Sequence, residues 1–183
     1  VAHSWLSGDD VGECDEVQAA ALGEAMARLH DQAEHWALPA GASLTAFDEP
    51  LFHDRDVLTD RVNDLAPADR EVVLEAWARA STSFAEAGQC GRPIVVHADL
   101  HGGNLKWHQG RLAIFDFDDT GLAVPSVDLA VATFYLRSGA PEREAALRAG
   151  YQRFRPWPSL GAAFEGLVAG RQLLLANSLF LST

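Results

Sequence analysis

Residues 94–104 read IVVHADLHGGN, and the change of texture within those eleven positions decides the fold. Ile94, Val95 and Val96 are β-branched and apolar, the composition of a short buried strand. HADLHGGN is polar and carries two glycines, so it reads as a loop. NLKW and RLAIFDF follow as short strands on either side of a Gln109-Gly110 turn. On both sides of this β region the period is helical. EVQAAALGEAMARLHDQAEHW predicts a helix over 15–36, with Val17, Ala21, Ala25, Leu29 and Trp36 at helical spacing. A short helix is expected over 57–65, and a long one from Pro67 to Gly88, with proline at its start and glycine at its stop. Helices return after Pro125, in PEREAALRAGYQRF and in the apolar FEGLVAGRQLLLANSLFL. VAHSWLSG, at residues 1–8, predicts an opening strand that ends at Gly8. The chain therefore reads as helix-rich α+β, with a small β insertion carrying the polar loops.

Composition narrows the partners. Of 183 residues 48% are apolar and 22% charged, the balance of a soluble chain with one ordinary core. Against 26 acidic residues stand 14 basic ones, of which Lys106 alone is lysine, and the net charge is −12. No basic patch is available to displace counterions, so no nucleic-acid partner is expected. Acidic excess favours solubility and can draw in a cationic small molecule. Cys14 and Cys90 form no paired motif, and no leader or membrane-length apolar run is present, so a cytoplasmic protein with no membrane partner is expected. The chain begins at Val1 and its one methionine is Met26, which reads as a piece of a longer protein.

AIFDFDDTGL, residues 113–122, admits two chemistries. An apolar strand ending in Asp-x-Asp-x-Thr is how one class of phosphatase presents a nucleophilic aspartate. That chemistry needs a downstream lysine and a later acidic pair, whereas no lysine follows Thr120 and the acids beyond it, Asp128, Glu142, Glu144 and Glu165, are never adjacent. The other chemistry is phosphoryl transfer from a magnesium-bound nucleotide. His97-x-Asp99-Leu100-x-x-x-Asn104, followed by Asp116 at the end of an apolar strand, has the spacing of a protein-kinase-like catalytic loop and its magnesium aspartate. Asp99 can orient an acceptor hydroxyl and take its proton. Asn104 and Asp116 supply hard oxygen donors for magnesium. Gly102 and Gly103 let the loop turn tightly, and Leu100 anchors it in the core.

VVHADLHGGNLKW, AIFDFDDTGLAVPSVDLA and ALGEAMARLH together resemble the C-terminal lobe of the aminoglycoside phosphotransferase and choline kinase family, small-molecule kinases of protein-kinase-like fold. The resemblance implies Asp99 as catalytic base, Asn104 and Asp116 as metal ligands, and His97 and Asp128 as braces of the catalytic loop. It implies that residues 1–8 are the last strand and hinge of an N-terminal lobe, where the backbone near Trp5 and Leu6 meets adenine, and that 9–183 form the C-terminal lobe. ATP and Mg2+ are the implied cofactors, and a hydroxyl on a small, amine-bearing molecule the implied acceptor. No glycine-rich loop or phosphate-binding lysine precedes residue 90, and Lys106 stands where the family tends to have an apolar residue beneath adenine. Ala98 replaces the arginine of the protein-kinase loop, so activation by phosphorylation is not expected.

Other readings of the same residues make different demands. His97, Asp99 and His101 alternate along an extended segment and can be read as zinc ligands of a metal-dependent hydrolase. Asp99, Asn104 and Asp116 can be read as turn formers in a non-catalytic binding module. His30 and His35 read as surface or packing residues, and the tryptophans mostly as core anchors.

Overall fold

Asp15 starts the first helix through a reciprocal cap. Its carboxylate accepts the Gln18 N–H at 2.8 Å, and the Gln18 side chain accepts the Asp15 N–H at 3.0 Å. In a computed structural model, which describes residues 6–52, 55–137 and 140–181, helix α1 then runs Glu16–His35. Its buried residues are Ala19, Leu22, Gly23, Met26, Ala27 and His30. The sequence spacing had favoured another face: Val17 is 66% exposed and Trp36 54%. Helix α4, Pro141–Gln152, explains the rotation. A Cβ on Gly23 would lie 2.0 Å from the Leu147 carbonyl oxygen, and one on Gly150 2.0 Å from that of Ala20. The two backbones cross at a separation only glycine permits, so the face that carries Gly23 turns inward.

The remaining helices form a second layer. Helix α2, Pro67–Gln89, opens on proline as expected and packs along α5, Ala162–Leu181. The helix expected over 57–65 is reduced to a 3-10 turn at Val62–Asp64. The segment before it is pinned instead by Asn177 of α5, whose amide oxygen accepts the Val57 and Leu58 N–H groups, both at 2.8 Å, and whose nitrogen donates to the Arg55 carbonyl at 2.9 Å. Helix α3, Pro125–Arg137, lies between the layers, and Arg137 at its end pairs with Glu144 and Glu165 to join α3, α4 and α5. Among the described residues none of the tryptophans reaches full burial. The core is built from Leu22, Met26, Phe84, Leu100, Leu105, Leu129, Leu147 and their neighbours.

Two small antiparallel ladders hold the polar loops. Strand β1, Asp9–Asp10, pairs with β3, Leu105–His108, which pairs with β4, Arg111–Ile114. Gln109 and Gly110 join β3 to β4 with φ of 50° and 77°, the left-handed pair a two-residue hairpin requires. Strand β2, Ile94–Val96, pairs with β5, Gly121–Ala123, a strand the sequence had not disclosed. Of the opening strand expected over 1–8, residues 1–5 lie outside the described residues, and Leu6 to Gly8 are not in a strand.

Candidate active site

The loop from His97 to Asn104 leaves β2 through a backbone reversal at Ala98, whose φ is 65°. A left-handed alanine is held against its preference by about 1 kcal/mol or more, so something must fix it. The fixing bond is from the Ala98 N–H to Asp128 Oδ1 at 2.8 Å. His97 spans to the end of β4, donating from Nε2 to the Phe115 carbonyl at 3.0 Å, and its ring packs on Phe117 with centroids 4.6 Å apart. Leu100 is fully buried. Gly102 has a reason beyond turning: a Cβ there would lie 1.6 Å from the Gly12 carbonyl oxygen, so the loop presses against the segment that leaves β1.

Asp99 and Asn104 meet across this loop. Asn104 Nδ2 donates to the Asp99 carbonyl at 2.9 Å and to Asp99 Oδ2 at 3.0 Å. Both amide hydrogens are thereby used, and the amide oxygen remains for a cation. His101 accepts the Gly103 N–H on Nδ1 at 3.0 Å, which leaves Nε2 as the donor, 3.3 Å from Asp99 Oδ2. Two partners that sequence reading missed complete the cluster. Arg171 of α5 donates from Nη2 to Asp99 Oδ1, and to the Tyr135 hydroxyl of α3 at 2.7 Å. A lone arginine within the apolar run LVAGRQLLLANSLF was the available signal, because a buried guanidinium requires a partner.

Asp128 sits at the foot of the loop, and His30 proves to be its main support rather than a surface or packing residue. His30 Nε2 donates to Asp128 Oδ2 at 2.9 Å, and its Nδ1 lies 3.0 Å from the Tyr151 hydroxyl. Burial by itself would raise the Asp128 pKa. The bond and charge of His30, the charge of His97 and the Ala98 N–H outweigh it and hold the group below its ordinary value of 3.8. Burial raises the Tyr151 pKa, against the opposing charge and hydrogen bond of Arg155. Tyr151, His30 and Asp128 thus form a continuous row of buried polar side chains, with Arg155 acting on its outer end. His30→Leu removes one partner of a buried charged pair and is expected to cost about 3 kcal/mol in urea unfolding at neutral pH. Because the native pKa of Asp128 is depressed, its stabilisation is present above pH 3.8 and is lost as pH falls through the lower native value. The gap between wild type and variant should therefore narrow below that pH, and a pH-independent gap would argue against an ionised Asp128.

Asp116 follows directly on Phe115, whose N–H donates to the Asn104 carbonyl at 3.1 Å, so the hairpin brings residues 104 and 116 to one end of the sheet. Asp116 is exposed, with φ at 62°, and among the described residues its carboxylate makes no hydrogen bond or ion pair. One amide oxygen and one carboxylate suit a hard cation whose remaining ligands come from phosphate and water. The zinc reading lacks its ligands: among the described residues no three His, Cys, Asp or Glu side chains are grouped to hold a metal, and His97 is committed to Phe115. Strand β4 also belongs to an antiparallel hairpin, not to the parallel sheet that a phosphatase aspartate would crown. Of the residues expected near adenine, Trp5 lies outside the described residues and Leu6 is half-buried just ahead of β1. Lys106 extends toward Asp10, with Nζ 2.9 Å from Oδ1.

Comparison with known proteins agrees with this geometry. Over 27 residues, 15% of the chain and 8% of the relative, the sequence is 59% identical to amicoumacin kinase of Bacillus subtilis (strain 168). A solved amicoumacin kinase in complex with AMP-PNP, Ca2+ and Ami superimposes with a TM-score of 0.75 at 20% identity, over 98% of this chain and 56% of that one. A choline/ethanolamine kinase family protein from Mesorhizobium loti gives 0.62 at 18% identity, over 95% and 58%. The chain thus spans little more than half the length of these structures, and their likeness establishes the fold as the helix-rich lobe of kinase-like enzymes. The model of one family, described as the phosphotransferase enzyme family, matches residues 1–162, and the chain belongs to that family.

Proposed function

We propose that the protein is an ATP-dependent phosphotransferase acting on a hydroxyl of a small, amine-bearing molecule, with residues 9–183 as its C-terminal lobe and 1–8 as the last strand and hinge of an N-terminal lobe. The observation that carries this reading is the Asn104 amide: both its hydrogens are spent on Asp99, which steadies that carboxylate and leaves the amide oxygen available to a cation. Asp99 takes the proton of the acceptor hydroxyl as that oxygen bonds to the γ-phosphorus and the bond to ADP breaks. Asn104 and Asp116 would hold magnesium, which would supply charge neutralisation at the triphosphate. His97 and Asp128 keep the loop in place, and the backbone near Trp5 and Leu6 meets adenine. Relatives named for amicoumacin, choline and ethanolamine support an amine-bearing acceptor. Among the described residues no helix is long and apolar enough to cross a membrane, and we place the enzyme in the cytoplasm.

Incubating the natural full-length protein with γ-labelled ATP and amicoumacin, choline or ethanolamine tests the reading. Label is expected on an acceptor hydroxyl and absent from the peptide containing Asp116. Label on Asp116 would instead indicate the aspartyl-phosphate chemistry of a phosphatase, and nucleotide binding without transfer would indicate a binding module.

A further inference from the structure

Arg171 lies in the apolar helix α5 and is 7% exposed. Its Nη2 donates to Asp99 Oδ1 and to the Tyr135 hydroxyl at 2.7 Å, and its Cζ stands 5.3 Å from the centre of the Tyr135 ring. That ring packs in turn on His101, with centroids 4.9 Å apart. The Nε of Arg171 is buried with no partner among the described residues. The packing therefore serves the Nη2 contact and does not satisfy the whole guanidinium, although an unpaired buried donor is costly.

Counting lone pairs on Asp99 shows what the contact does. Oδ2 receives Asn104 Nδ2 at 3.0 Å and has the His101 ring standing over it, Nε2 at 3.3 Å, so both catalytic-loop neighbours crowd that oxygen. Oδ1 receives Arg171 alone among the described residues and keeps one lone pair. We propose that Arg171 is a positioning residue for phosphoryl transfer, fixing Oδ1 of Asp99 so that its remaining lone pair is the one presented to the acceptor hydroxyl. The inference rests on the reading of Asp99 as the base. It assigns the proton-accepting atom and adds α5, through Tyr135 and Arg171, to the parts that set the reaction geometry.

The test uses the natural full-length protein. ADP release from magnesium-ATP is followed with water alone and with amicoumacin, choline and ethanolamine as acceptors. Arg171→Met is expected to lower kcat about 100-fold, the scale of a misplaced reacting group, with KM for ATP within about twofold of the parent. Arg171→Lys, which keeps the charge without the planar fork, should recover about tenfold of that loss. Tyr135→Phe should cost about tenfold, as expected for a group that aligns the guanidinium. Because Arg171 acts through one carboxylate, the double variant Arg171→Met with Asp99→Asn should be no slower than Asp99→Asn alone. Parental kcat in Arg171→Met, or losses that multiply in the double variant, would overturn the proposal. Should circular dichroism show Arg171→Met unfolded, Arg171→Lys and Tyr135→Phe decide, and parental kcat in both overturns it. No turnover by the parent, or full turnover by Asp99→Asn, removes the phosphotransferase reading and this inference with it. An indifferent Arg171 in an enzyme that needs Asp99 removes only the positioning.

Discussion

Asp99→Asn in the natural full-length protein is expected to lower kcat about 10³-fold, within the range for loss of a positioned general base, while the affinity for magnesium-ATP stays within about twofold of wild type. The separation follows from geometry. Asp99 is hydrogen-bonded to Asn104 and Arg171, with His101 Nε2 3.3 Å away, and is proposed to face the acceptor, whereas the proposed metal ligands lie at Asn104 and Asp116. The asparagine can keep an oxygen toward one of its donors, so the fold should survive, and its thermal midpoint provides the control. Single-turnover kinetics with a saturating acceptor reads the chemical step, and calorimetry reads the nucleotide. A variant that transfers phosphate at more than a tenth of the wild-type rate would show that another group takes the proton.

Asp116→Ala should act on the other half of the site. With its carboxylate removed, a bound cation would keep one of the two proposed side-chain ligands, Asn104. We expect magnesium-dependent ATP binding to weaken about 100-fold, or about 2.8 kcal/mol, and turnover to fall below detection. Asp116 is exposed, and among the described residues its carboxylate supports no other group, so stability should fall only by about 1 kcal/mol, the cost of alanine at the left-handed φ of 62°. The diagnostic measurement is nucleotide titration with and without magnesium. If Asp116→Ala weakens binding equally in both, the residue does not act through the cation. If binding is intact but a covalent phosphate disappears, Asp116 is a nucleophile.

Most of this site could be read from local sequence because it depends on short-range order. The run from Ile94 to Asn104 states a strand, a polar loop and its glycines in succession, and the Gln109-Gly110 turn brings Asp116 back beside it. What could not be read depends on pairings over long separations. His30 meets Asp128 98 positions away, and Arg171 meets Asp99 72 positions away. Helical spacing alone pointed to the face of α1 that carries Val17 and Trp36, which is not the buried one. The decision was made by Gly23 against Leu147 and Gly150 against Ala20, contacts that have no signature within either helix. Strand β5 was hidden for a similar reason, since Gly121–Ala123 has little strand propensity and is held by the ladder to β2 and by Phe47, whose ring fills the space a Cβ on Gly121 would need. Two polar residues in the apolar α5, Arg171 and Asn177, were legible as exceptions, but their partners were not.

The buried row from Tyr151 through His30 to Asp128 bears on how such a protein can change over time. Each member is both satisfied by one neighbour and required by the next, so a single substitution leaves an unmatched group in a dry interior. Apolar replacement of the whole row would avoid that penalty, but every intermediate on the way would suffer it. Positions 30, 128 and 151 should therefore be inherited as a block among relatives, while the exposed face of α2, which supports no such row, is free to drift.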